Sequence, residues 1–115
     1  MLMVSRITPR QVVALISKGE VVQFVDARGE PTWNAAAEQV SGAVRVRPAS
    51  IVRDATRVSH NCQVVVYGAD DREAEVARVA DQLRVLGCAH VRILDGGFAA
   101  WRAQNGAVQS KEALA

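Results

Sequence analysis

Hydrophobic and polar positions near the amino terminus follow the spacing of an amphipathic helix. In the segment ITPRQVVALISKGE, apolar side chains recur at helical spacing, and the predicted buried stripe is Val12, Leu15 and Ile16, widened by Val13. Thr8 precedes Pro9 and stands three residues before Gln11, which is the arrangement of an N-cap with a capping box. Gly19 is placed to end this helix in the left-handed conformation.

Apolar runs alternate with helical patterns along the rest of the chain. The runs from Val21 to Arg28 and from Val64 to Tyr67 are almost continuously apolar, which is typical of strands buried on both faces of a parallel sheet. Further strands are predicted in LMVS, GAVRVRP and HVRIL, and helices in EPTWNAAAEQ, ASIVRDA, residues 71–86 and GGFAAWRAQ. This alternation predicts a three-layer α/β/α domain with a mostly parallel five-stranded sheet.

The length and charge of the chain fit one ordinary globular domain. Its 115 residues suffice for a single core, which we expect over residues 4–104, with a polar tail at 105–115 that frays. The formal charge is +2 and the arginines are scattered, so nucleic acid is not an expected partner. No apolar run reaches the ~18 residues that span a bilayer, and the opening residues lack a secretory signal. We therefore expect a cytoplasmic protein that has no membrane partner.

The two cysteines, Cys62 and Cys88, are too few for a disulfide framework, and no histidine lies at metal-ligand spacing from either. We expect both to be reduced core residues at the end of the sheet opposite Gly68, without a nucleophilic neighbour. Neither a metal nor a cofactor is predicted.

The segment CQVVVYGADDREAEVARVADQLRVLG is a candidate active site, because a buried strand runs into a polar loop and then a helix. Chemistry in α/β folds is commonly placed at such carboxyl ends of strands. Apolar residues keep helical spacing up to Leu86, and Asp70 or Asp71 is predicted to cap the helix start. However, the residue that ends the strand is Gly68, which has no side chain.

Four motifs occur in an order that resembles the rhodanese-like domain family over about residues 4–104. Asp26-Ala27-Arg28 ends one strand, Gly42-Ala43 leads into the next, and VVVYG precedes the capped helix. The specific Leu-x-Gly-Gly-x-x-x-Trp signature appears as Leu94, Gly96, Gly97 and Trp101. With the strands numbered along the chain, the resemblance implies the sheet order 3-2-4-5-1.

Each motif residue also has a plain structural role. Asp26 and Arg28 are expected to tie loops together by a charge-assisted hydrogen bond rather than to perform chemistry. Gly96 and Gly97 are expected to permit a tight turn, and Trp101 to pack in the core.

The resemblance implies that the catalytic side chain is missing. In the family, a cysteine at the end of the matching strand takes a sulfane sulfur from a donor such as thiosulfate and forms a persulfide. This reaction needs a thiolate and backbone N–H groups that converge on it. It also needs a helix amino terminus that lowers the pKa of the thiol. Gly68 stands at that position. The family's Gly-His-Ile-x-Gly-Ala pattern is Glu38 to Ala43 here, so its usually structural histidine is Gln39.

The loop that follows differs from the family in charge as well. Its residues are Gly68, Ala69, Asp70, Asp71, Arg72 and Glu73, which carry three acids and one base. Each uncompensated acid within ~5 Å of an anion costs on the order of 1–3 kcal/mol. Two alternatives remain: the aspartates cap the helix and point outward, or Asp70, Asp71 and Glu73 bind a cation, although no metal-loop pattern surrounds them.

These observations favour a catalytically inactive rhodanese-like domain that acts as a protein-binding or regulatory module in sulfur-related metabolism or signalling. The alternative is a sulfurtransferase that uses an unorthodox cysteine or assists an active partner. The expected partner is another protein or a second copy of the chain, and fold alone does not decide between these functions.

Overall fold

The structure is a computed structural model that describes residues 4–72 and 74–111. Strands and helices alternate along these residues. The elements are β1 (Ser5–Ile7), α1 (Pro9–Ser17), β2 (Val22–Asp26), α2 (Glu30–Ala35), β3 (Glu38–Val40), β4 (Val44–Arg45), α3 (Ile51–Asp54) with a following 3-10 turn (Ala55–Arg57), β5 (Gln63–Tyr67), α4 (Glu75–Val85), β6 (His90–Leu94), α5 (Gly97–Ala103) and β7 (Val108–Ser110).

Five strands form a parallel sheet in the order β1-β6-β5-β2-β4. This is the order that the family resemblance implied, and the three-layer α/β prediction is confirmed. β5 lies between β6 and β2, and its residues 64–67 are fully buried, as their continuous apolar character predicted. The carboxyl ends of β2, β5 and β6 therefore meet at one edge of the sheet.

Helices cover both faces of this sheet, as expected from the alternating pattern. On one face α1 and α5 pack Val12 and Trp101 against Phe24, Val65 and Leu94. On the other face α3 and α4 contribute a second core, which includes Ile51, Val76, Val79, Ala80 and Leu83. No helix in residues 4–72 or 74–111 is long and apolar enough to cross a bilayer.

The first helix begins as predicted, but its buried face is narrower. The Gln11 N–H donates to the Thr8 hydroxyl, and the Gln11 side chain accepts from the Thr8 N–H, which completes the capping box. Val12 is buried, whereas Val13 and Ile16 are 44% and 47% exposed. The prediction of a four-residue buried stripe is wrong because the core contacts only the side of the helix that carries Val12 and, in part, Leu15.

The segment after Asn105 also departs from its prediction. β7 pairs antiparallel with β3, and the indole Nε1 of Trp101 donates to the Ala107 carbonyl at 3.0 Å. The expectation of fraying from residue 105 is therefore wrong for residues 108–110, because a strand far away in sequence satisfies their backbone groups. Residues 112–115 lie outside the described part of the chain.

Candidate functional site

The candidate site lies where β5 ends. Gly68 follows Tyr67 directly and is buried. The register of β2 and β5 pairs Asp26 with Tyr67, which brings the Asp-x-Arg turn beside the first residue of the loop. The sheet thus positions Gly68 where the sequence predicted it.

A buried ion pair fixes the end of β2 next to this loop. The Arg28 side chain donates from Nη2 to Asp26 Oδ2 at 2.6 Å and from Nε to Oδ1 at 3.0 Å. The Tyr67 hydroxyl donates to the same carboxylate at 2.8 Å and accepts from the Val40 N–H. Burial and the charge of Asp26 raise the pKa of Tyr67, so the phenol stays protonated and can donate. These contacts join β2, β3 and β5, which is the tying role expected of Asp26 and Arg28.

Aromatic rings enclose the Arg28 guanidinium. Its central carbon lies 5.3 Å from the Trp33 ring centre, 5.7 Å from that of Tyr67 and 4.7 Å from that of Phe98. Cation–π contacts of this kind stabilise a desolvated guanidinium. Arg28, the three aromatic side chains and Asp26 therefore all make structural contacts with one another.

The turn between β6 and α5 packs tightly against the loop. Gly96 and Gly97 have φ values of +75° and +59°, so both adopt the left-handed conformation that favours glycine. A Cβ atom on Gly97 would lie 2.5 Å from the Gly68 carbonyl oxygen. The N–H groups of Phe98 and Ala99 donate to the carbonyls of Gly68 and Ala69 at 2.8 and 3.0 Å. The first free N–H groups of α5 are thus used by the loop itself.

The two loop aspartates bind neighbouring donors instead of capping α4. Asp71 Oδ1 accepts from the Gly96 N–H at 2.6 Å and from Arg6 Nη2 at 2.7 Å. Asp70 accepts from the backbone and guanidinium of Arg72, whose hydrogen bonds hold the pKa of Asp70 below its usual range. The loop is therefore fastened to β1 and to the turn before α5.

Two predictions about these acids are corrected by this geometry. α4 begins at Glu75, and its N-cap residue Ala74 has no side-chain hydrogen bond, so neither aspartate caps it. Asp70 and Asp71 each have an arginine partner, which offsets the repulsion that uncompensated acids would exert on an anion. Glu73 lies outside the described residues.

A cavity of about 170 Å³ lies beside the loop. Its lining is Arg6, Gly68, Asp70, Asp71, Ala74, Val76, Ala77, Ile93 and Leu94. This set contains no thiol, hydroxyl or imidazole, so none of these lining residues supplies a strong nucleophile. Among the described residues, no group of three or more His, Cys, Asp or Glu side chains is arranged to hold a metal ion.

The two thiols lie at the opposite end of the sheet. Cys62 immediately precedes β5 and Cys88 stands two residues before β6, so neither reaches the Gly68 loop. Cys88 is buried and Cys62 is half-buried. Burial raises the pKa of Cys88, and the nearby Cys62 raises it further. Cys88 is therefore a core residue as expected, whereas Cys62 lies at the edge of the core.

Three site residues were missed in the sequence, namely Arg6, Tyr67 and Phe98. Their partners are distant along the chain, and no local pattern marks them. Gln39, at the position of the family's histidine, is buried and donates from Nε2 to the Ala43 carbonyl at 3.2 Å. It thereby braces the turn at Gly42, whose φ is +76°.

Comparisons with known proteins agree with this architecture. A family model described as the rhodanese-like domain matches residues 8–104. SseB of Mycobacterium tuberculosis, provisionally named a thiosulfate sulfurtransferase, is 31% identical over 90% of this chain and 46% of its own length. The chain thus spans about half the length of the curated relatives it matches.

Solved structures show the same fold. The Alr3790 protein from Anabaena has a TM-score of 0.72 and 27% identity, covering 90% of this chain and 79% of its own. Thiosulfate sulfurtransferase from Pseudomonas aeruginosa also has a TM-score of 0.72, with 23% identity over 91% of this chain and 20% of its own. At that identity the second likeness is one of fold alone.

Proposed function

The chain belongs to the rhodanese-like domain family, and we propose that it is a member that does not transfer sulfur and instead acts as a protein-binding or regulatory module in sulfur-related metabolism or signalling. The observation that carries this proposal is the residue at the end of β5, which is Gly68. Sulfur transfer in this fold requires a thiolate there, because the sulfane sulfur must be attacked and then held covalently.

The backbone around Gly68 supports the same conclusion. An anion site needs N–H groups that are free to point at the ligand. Here Phe98 and Ala99 donate to loop carbonyls, and the Gly96 N–H donates to Asp71. These three N–H groups beside the Gly68 loop therefore have protein partners already.

Exposed apolar side chains support the binding role. Val13 and Ile16 lie one helical turn apart on α1, and each is nearly half exposed. Val52 and Val85 on α3 and α4 are about two-thirds exposed, at 67% and 68%. Covering Val13 and Ile16 with a partner would lower the free energy, whereas Val52 and Val85 lie on the helices of the opposite face. A second copy of the chain is one such partner.

The similarity to SseB favours a second candidate, a sulfurtransferase that works through another cysteine or assists an active domain. The position of Cys62 and Cys88 opposes it, because both lie at the far end of β5 and β6 from the candidate site. The two candidates differ in one measurable property, which is whether the purified chain carries and releases sulfane sulfur.

A gain-of-function series at Gly68 tests the first candidate. Gly68 lies outside the left-handed region, so Gly68→Cys is compatible with its backbone. We expect this variant to produce thiocyanate from thiosulfate and cyanide only weakly, because Asp71 holds the loop to Arg6 and Gly96. Adding Asp70→Ser, Asp71→Gly and Glu73→Arg to Gly68→Cys should raise the rate well above that of the single variant, since thiol and loop act as one unit.

Gly68→Ser is the matched control, because it adds a side chain of similar size without a thiol. We expect no turnover from it in either background. If Gly68→Cys alone turned over thiosulfate as fast as the combined variant, the loop contacts would be irrelevant and only the missing sulfur would distinguish this chain from its active relatives. Turnover by Gly68→Ser would contradict the requirement for a thiolate.

A further inference from the structure

The end of the sheet opposite Gly68 holds two thiols on neighbouring strands. The register of β5 and β6 pairs Gln63 with His90, so Cys62 lies level with Ala89, the residue after Cys88. A hydrogen bond from the Ala89 N–H to the His60 carbonyl continues the contact beyond the strands. Neighbouring strands are ~4.8 Å apart, so this contact places the two segments that carry the cysteines side by side where β5 and β6 begin.

Both side chains face the same core. Cys88 belongs to the buried cluster formed with α3 and α4, and Cys62 packs against that cluster from its edge. Strict strand alternation would turn Cys88 away from Cys62, but Cys88 lies in the turn after Gly87, whose φ is +111°. Both thiols therefore pack in the same core, which a bond between them requires.

The two thiols differ in access to solvent. Cys62 lines an open cavity of about 480 Å³ together with Val21, Ser59, Asn61, Gln63 and His90, whereas Cys88 is only 4% exposed. A small reagent can therefore reach Cys62 first. Burial and, less strongly, the neighbouring thiol raise the pKa of Cys88, which favours its neutral form and leaves Cys62 as the first thiol to react.

We propose that Cys62 and Cys88 form a dithiol modification site that small disulfides of the glutathione class oxidise to an intramolecular disulfide. In the first step the Cys62 thiolate attacks one sulfur of the small disulfide, forming a mixed disulfide and releasing one thiolate. In the second step Cys88 loses its proton to solvent and attacks the Cys62 sulfur, which releases the second small thiolate. Overall, the two protein thiols are oxidised to a disulfide and one small disulfide is reduced to two thiols.

The resulting ring would enclose the site described above. Residues 62–88 include β5, the Gly68 loop and α4. A disulfide between Cys62 and Cys88 at one end of the sheet would thus close a covalent ring around the segment that carries the loop at the other end. This role is independent of whether the Gly68 loop binds a partner.

Oxidised glutathione is the probe that tests this proposal on the native, unmodified chain. We expect intact-mass spectra to show the loss of two hydrogens with no glutathione retained, and peptide mapping to find a fragment that links Cys62 to Cys88. Cys88→Ala should stop at a stable adduct of one glutathione on Cys62. Cys62→Ala should react more than about tenfold more slowly, because its remaining thiol is buried.

Three results would overturn the proposal: both thiols remaining free to an alkylating reagent under denaturing conditions, a lasting glutathione adduct on the wild-type chain, or a disulfide between two chains. The wild-type spectrum alone distinguishes these from the expected product if either variant fails to fold. None of them depends on sulfur transfer at Gly68.

Discussion

Replacing Asp26 with asparagine measures how much the buried ion pair beside the Gly68 loop contributes to the free energy of unfolding. Asp26 and Arg28 have side-chain exposures of 1% and 2%. The carboxylate accepts from the Arg28 Nε and Nη2 atoms and from the Tyr67 hydroxyl. An asparagine side chain would keep the shape and one acceptor oxygen, but it would turn an –NH₂ group towards a buried donor and leave the guanidinium without its counter-charge.

The expected cost follows from this burial. Removing one partner of a buried ion pair typically costs about 3–5 kcal/mol, a large part of the roughly 5–15 kcal/mol that a domain of this kind possesses. Urea unfolding at pH 7, followed by tryptophan fluorescence and circular dichroism, measures the loss. We expect Asp26→Asn to lower the midpoint strongly with an unchanged slope. Asp26→Asn combined with Arg28→Met should recover part of the loss, because it removes the unpaired charge.

Asp95→Asn is the matched control, because it makes the same chemical change in an exposed pair. Asp95 binds Arg6, and the two side chains are 41% and 48% exposed. Exposed pairs contribute about 0–1 kcal/mol, so this variant should remain close to wild type. A loss for Asp26→Asn no larger than that for Asp95→Asn would refute the view that the buried pair holds β2 and β5 together.

Two further predictions concern the loop and acid stability. Gly97→Ala should cost about 2–4 kcal/mol in urea unfolding, because its Cβ would lie 2.5 Å from the Gly68 carbonyl. Gly19→Ala, with φ +88° and nothing within 4 Å of the added atom, should cost only the strain of about 1–2 kcal/mol, and equal losses would contradict the clash. The hydrogen bonds from Arg47 lower the pKa of Asp54 to about 2. This pair's contribution is therefore complete above about pH 5 and is lost as the pH falls from about 4 to 2. With Arg47 half exposed it amounts to about 1 kcal/mol, and Asp54→Asn should lack this acid dependence in midpoints measured by urea unfolding.

Patterns within one segment predicted most of the fold. The capping box at Thr8 and Gln11 needs only residues three apart, and it is present as expected. The continuous apolar run of β5 predicted a central strand because both of its faces are covered. Such signals succeed where the physical cause is local or is averaged over a whole element.

Long-range partners explain what the sequence did not predict. Asp71 stands where helix capping is locally favourable, but Arg6, 65 positions away, and the Gly96 N–H bind its carboxylate instead. β7 likewise exists because β3 pairs with it from about 70 residues away. Neither contact leaves a local trace, because it depends on which elements the fold brings together.

The position of Gly68 was readable from sequence, whereas the hydrogen bonds of the neighbouring backbone N–H groups were not. Gly68 could be placed at the end of β5 by counting from the apolar run. That Phe98 and Ala99 donate to the loop carbonyls depends on the left-handed backbone of Gly96 and Gly97, which brings α5 against the loop.

The measurement that tests the central claim most directly is sulfur transfer by the unmodified chain. Purified protein is incubated with thiosulfate, excess reagent is removed, and thiocyanate is measured after cyanide is added. We predict no thiocyanate above the protein-free background and no persulfide in the intact mass, because Gly68 offers no sulfur to carry the sulfane atom. Catalytic thiocyanate formation that Cys62→Ala abolishes would contradict this account and would assign sulfur transfer to the opposite end of the sheet.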